Sequence, residues 1–119
     1  MNVVTITGRL ARDPKFIAEG DNSRAHFTLA VDSHRTDEPD WIPVVAFARQ
    51  AEMVADHVAK GHLVAVAGRL ASRKTADDNG EVRSYLNVIA HRVEFLARPK
   101  GDGDTSNQPA EPDPLEEPF

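Results

Sequence analysis

Gly8-Arg9-Leu10-Ala11 and Gly68-Arg69-Leu70-Ala71 are the same four residues, and each sits in a run of alternating apolar residues. In the first run Val4, Ile6 and Leu10 share one parity, and Val3, Thr5, Thr7 and Arg9 share the other. In the second, Val64, Val66 and Leu70 are expected to face inward. Alternation with period two is the pattern of a strand with one buried face. A glycine inside such a strand weakens it, and is best explained where the strand must bend or bulge. A single recurrence is too little for a solenoid. It suits two long strands that each coil around a barrel and bend at their glycine.

The rest of the body supports that reading. Residues 2–10 form a first strand, interrupted by turns at Asp13-Pro14 and at Glu19-Gly20-Asp21-Asn22. Residues 24–33 alternate, with Phe27, Leu29 and Val31 opposite His26, Thr28, Ala30 and Asp32. Residues 41–47 form a third strand, whose Pro43 predicts an edge position or a bulge. Helical spacing of Ala51, Val54, Ala55 and Val58 predicts a helix over 49–60, closed by Gly61. Residues 62–73 and 82–96 return to strand, separated by a loop over Lys74–Glu81 that holds an Asn-Gly turn. The chain is thus all-β: a five-stranded OB-type Greek-key barrel with one short helix between strands three and four.

Composition divides the chain in two. Residues 1–96 carry 12 Lys+Arg and 13 Asp+Glu, whereas residues 97–119 carry 2 and 6, so most of the net −5 belongs to the tail. Five of the eight prolines fall in the tail, where Leu115 and Phe119 are the only large apolar residues. Such a segment cannot bury enough surface to offset its ordering entropy, which predicts disorder over 97–119 after one domain over 1–96. The final Leu115-Glu116-Glu117-Pro118-Phe119 puts a ring, a terminal carboxylate and two acids at one point. That arrangement fits docking into a basic pocket on a partner protein. There is no cysteine, no signal-like N-terminus and no membrane-length apolar run, so a cytoplasmic protein with no membrane association is expected.

No catalytic constellation stands out. His26, His34, His57, His62 and His91 are scattered without a metal-binding spacing, and the body glycines form no phosphate loop. Asp77-Asp78 beside Asn-Gly reads as a solvated turn. The expectation is a binding protein with no cofactor and no metal. Trp41 and Phe47 share a parity with Pro43 and Val45, while Ile42, Val44 and Ala46 look toward the core. Six residues of strand put the two rings about 20 Å apart, a span for two separate bases. Arg35 precedes Trp41, Arg49 follows Phe47, Arg73-Lys74 and Arg83 flank the hairpin loop, and Arg9 and Arg69 hold matching places in the two echoes. Any one aromatic is more often core, and any one Arg is more often solvated surface. Together, aromatics interleaved with cations are the composition of a single-strand-binding groove.

These pieces, in this order, resemble the bacterial single-stranded DNA-binding protein family. The resemblance is carried by Val4 to Leu10 with Asp13-Pro14, Phe27 to Val31, Trp41 to Phe47, Lys60-Gly61, Val64 to Leu70, and Ser72-Arg73-Lys74, with Pro118-Phe119 as a separate match. It implies an OB fold, a homotetramer, single-stranded DNA wrapped by stacking and phosphate contacts, and no catalysis. It also implies recruitment of replication, recombination and repair proteins by the acidic tip, with action in the cytoplasm at the nucleoid. Trp41 and Phe47 match the family's stacking aromatics; Arg35, Arg49, Arg73 and Lys74 match its backbone-contacting cations. The chain departs by carrying His34 and Thr75 where the family often has tryptophan, which predicts weaker or shorter binding per subunit, with His34 a poorer stacking surface. The competing reading is an OB-fold interaction module of a primosomal or DNA-uptake system, in which DNA contact is secondary.

Overall fold

A computed structural model of the protein describes residues 1–19 and 22–98. Of the tail expected over 97–119, Ala97 still belongs to the last strand, and residues 99–119 with the docking tip lie outside the described residues, as does the centre of the turn expected at 19–22. The elements in chain order are β1 (Val4–Leu10), β2 (Lys15–Glu19), β3 (Asn22–Val31), β4 (Asp40–Phe47), α1 (Ala48–His57), β5 (Leu63–Ala76) and β6 (Val82–Ala97). The sheet runs β1-β5-β6-β4-β3-β2, and a further β1–β3 pairing closes it into a barrel. Among the described residues, only β4 and β6 pair in parallel, over Val44–Ala46 with Val88–Ala90. The five expected strands are all present in the OB order, with the helix between the third and fourth of them.

The sixth, β2, was not foreseen. Arg9 and Leu10 pair with Ala30 and Leu29, and after an interruption Lys15 resumes opposite His26. Asp13-Pro14 therefore interrupts one long strand rather than ending it, and Pro14, with no N–H to give a ladder, falls in the gap. The gap is held in place: Asp13 Oδ1 accepts the Lys60 N–H at 2.8 Å.

Both glycine echoes are sites of close backbone approach. A Cβ on Gly8 would lie 2.6 Å from the Ala30 carbonyl oxygen, and one on Gly68 only 2.0 Å from that of Ile89. Gly68 also sits at a register shift in the β5–β6 ladder. Pro43 pairs with Thr28, but β4 has no β6 partner at that position, so its missing N–H faces an open edge.

The core gathers Leu10, Phe27, Leu29, Val44, Val64, Val66 and Val88 under Ala51 and Val54 of α1. The helix is shorter than its apolar spacing implied. Val58 is already extended, with its N–H donating to the Val54 carbonyl, and Ala55 is exposed while Met53 packs on the core. Gly61 instead takes a positive φ of 86° in the turn beyond. Leu70, expected inward, is 41% exposed, because β5 and β6 run past the barrel as a long hairpin. The loop expected over Lys74–Glu81 shrinks to 77–81. Asp77 Oδ1 accepts the N–H groups of Asn79 and Glu81 at 2.9 and 2.8 Å, and Gly80 supplies the positive φ. Asp77→Ala should remove both bonds and lower stability by about 1–2 kcal/mol, measurable by denaturant unfolding.

No helix among the described residues is long and apolar enough to cross a membrane.

Candidate nucleic-acid interface

Cross-strand register decides which side chains share the outside of the barrel. Val44 and Ala46 are buried, so their β4 neighbours Trp41, Pro43, Val45 and Phe47 look outward. Trp41 is 58% exposed and Phe47 44% exposed. Val45 lies between them but is buried, flanked in register by His26 of β3 and Ile89 of β6. The platform is therefore two rings separated by a filled floor, not a continuous aromatic strip. Ala48 adopts φ 53°, the left-handed region, directly after Phe47. That turn carries the chain from β4 into α1 and leaves Phe47 and Arg49 on the rim, both exposed.

Rows of partners cross this face. Trp41 aligns with Ala30 and, through it, with Arg9. Pro43 aligns with Thr28. Val45 aligns with His26 and Lys15 on one side, and with Ile89 and Arg69 on the other. Phe47 aligns with Arg24 and Ile17. Farther along the hairpin, Arg73 pairs with Tyr85 and Thr75 with Arg83, on the same pleat face as Ile89. Arg69, Arg73, Arg83 and Tyr85 are all exposed, and so are His34 and Arg35 in the connection before β4.

Two expected site residues are placed differently. Lys74 neighbours Arg73 in sequence but lies on the opposite pleat face, opposite Ser84. Arg9 is half-buried, and its Nη1 donates to the Gly61 carbonyl at 2.7 Å, tying β1 to the turn after α1. Conversely, Lys15, Arg24, His26 and Tyr85 join the outer face although the sequence reading did not select them. Parity marked His26 as outward, but nothing local links it to Lys15 or Arg73. Burial lowers the His26 pKa below its ordinary value, and the positive charges of Arg24, Lys15 and Arg73 lower it further. Those cations from three strands thus converge on one imidazole. Beside it a groove is lined by Arg12, Asp13, Lys15, His26, Thr28 and Pro43.

Among the described residues, no three His, Cys, Asp or Glu side chains gather as a metal site. The outer face offers flat rings, cations and hydrogen-bond donors.

A closed OB-type barrel with exposed rings and cations on its outer sheet face defines a class of oligomer-binding modules. The single-strand binding protein family matches residues 1–96, and the chain belongs to that family. Among its relatives, single-stranded DNA-binding protein 3 of Clostridium acetobutylicum is 38% identical, over 81% of this chain and 71% of its own length. The single-stranded DNA-binding protein of Clostridium tetani is 35% identical, over 97% of this chain and 85% of its own. Single-stranded DNA-binding protein 1 of Staphylococcus aureus is 36% identical, over 88% and 70% respectively.

Proposed function

We propose that the chain binds single-stranded DNA without sequence preference, with bases lying on Trp41 and Phe47 and phosphates held by the surrounding cations. The observation that carries this reading is the exposure of both rings on one strand face, beside Arg24, Arg49, Arg69 and Arg73. Every base has a π-face, so stacking is tolerant of sequence. Tyr85 adds a third exposed ring beside Arg73, on the hairpin where Thr75 offers none. Arg35, His34 and Arg83 form the rim, Lys74 serves the reverse side of the hairpin, and Arg9 acts mainly as a fold tie.

Phosphate contacts release counterions, so affinity for oligo-dT should fall with salt. A fluorescence-anisotropy series is expected to give a log–log slope of about −0.7 per phosphate neutralised, near −3 for four contacts. A salt-independent affinity would contradict the reading.

The chain works as a homotetramer in this reading. The Val4–Gly8 stretch of β1 pairs only with β5 among the described residues, leaving one backbone edge for a second copy. Exposed Val3 and Leu86 and half-buried Leu63 lie ready for subunit contacts. Asn2 extends the ladder, its side-chain amide exchanging two 2.8 Å hydrogen bonds with the Leu70 backbone. Light scattering should give a mass about four times 13.0 kDa. A monomeric mass would contradict this assembly.

The tip, Leu115 to Phe119, recruits replication, recombination and repair proteins in the cytoplasm, at the nucleoid. Deleting residues 114–119 is expected to abolish partner capture while leaving oligo-dT binding intact. Loss of DNA affinity with the tip would count against separate roles for domain and tail.

A further inference from the structure

We propose that Lys15, Arg24, His26 and Arg73 form a seat for one backbone phosphate, placed between the Trp41 and Phe47 rings, in which His26 is a proton-dependent donor. This rests on the single-strand reading above and names a contact within it.

The placement is geometric. His26 lies across β3 from Val45 on one side and Lys15 on the other. Its row is next to the Phe47–Arg24 row and two rows from Trp41. A strand of bases resting on both rings must carry its backbone across this row. Val45 and Ile89 give the floor no charge, being buried and half-buried apolar residues. Arg73 comes from the β5 arm, close enough to act electrostatically on His26. The adjoining groove adds Arg12, Thr28 and the uncharged Pro43. Its one carboxylate, Asp13, accepts the Lys60 N–H. Among the described residues, Lys15, Arg24, Arg73 and Arg12, with one engaged acid, therefore lie around a half-buried imidazole.

In the free protein burial disfavours the imidazolium and that company of cations disfavours it further, which holds the His26 pKa below its ordinary value. A phosphate entering the seat offsets part of that positive charge and gives the ring an acceptor, which favours the imidazolium as its donor. Binding takes up a proton, so affinity rises as pH falls. The free barrel behaves oppositely. A histidine with a lowered folded pKa favours folding above its ordinary value of 6.5, and that contribution is lost as pH falls below it. Weaker folding with tighter binding is a pair of trends that a general loss of structure at low pH would not produce.

The test is oligo-dT anisotropy at pH 8 and pH 6, at constant ionic strength, on the full chain and on His26→Gln and His34→Gln. The wild type should tighten about fivefold toward pH 6. His26→Gln should lose the pH dependence, while His34→Gln should keep it. A His26→Gln slope equal to wild type, or a wild type that binds tightly with no slope, would overturn the seat and leave single-strand binding standing. Absence of oligo-dT binding at either pH would overturn both.

Discussion

Gly68→Ala should lower folding stability by about 3 kcal/mol or more, enough to drop the thermal midpoint by over about 10 °C. The added carbon would sit 2.0 Å from the Ile89 carbonyl oxygen. That atom is backbone, in a ladder that already shifts register at this point, so no side chain can swing aside. Relief requires β5 and β6 to part at this register shift. Gly80 provides the internal comparison. It has positive φ but nothing within 4 Å of its would-be Cβ, so Gly80→Ala should cost only the local strain, about 1 kcal/mol. Differential scanning calorimetry of the two variants checks the contrast. Equal, small losses would mean that the close approach at Gly68 is not what shapes the barrel.

Replacing both Trp41 and Phe47 with alanine should weaken oligo-dT binding by about 2–6 kcal/mol, at least about 30-fold. Each ring contributes about 1–3 kcal/mol when a base stacks on it. The rings are about 20 Å apart along β4, so their contributions should add. Trp41 is 58% and Phe47 44% exposed and neither packs in the core cluster, so the double variant should unfold not far below the wild-type temperature. That combination separates a ligand platform from a packing role, in which stability would fall along with affinity. Labelled oligo-dT read by anisotropy provides the measurement, since the double variant has no tryptophan.

The strands and the two rings were legible in the sequence because both depend on local parity. Val44 and Ala46 inward with Trp41 and Phe47 outward is a statement about one strand, and alternation alone carries it. Gly8 and Gly68 were legible for the same reason, as glycines out of place in apolar runs. What escaped depended on neighbours far along the chain. β2 was hidden because Asp13-Pro14 has the chemistry of a turn, and only β3 running alongside makes it a gap in one long strand. The longer hairpin arms and exposed Leu70 follow from where the barrel ends, which no window of sequence records. Val45 has the same parity as the rings but is buried between β3 and β6. Arg9 looked like one cation among several until Gly61 appeared as its acceptor. His26 and Arg24 share one face of β3, but Lys15 and Arg73 reach the ring only from other strands, which no window of sequence records.

Trp41 is the sole tryptophan, so its emission during titration with oligo-dT reports on one position alone. Saturable quenching is expected, weakening with added salt in step with affinity, as a base comes to rest on the exposed indole. Oligo-dT binding detected by anisotropy with the emission of Trp41 unchanged would contradict the stacking platform on β4.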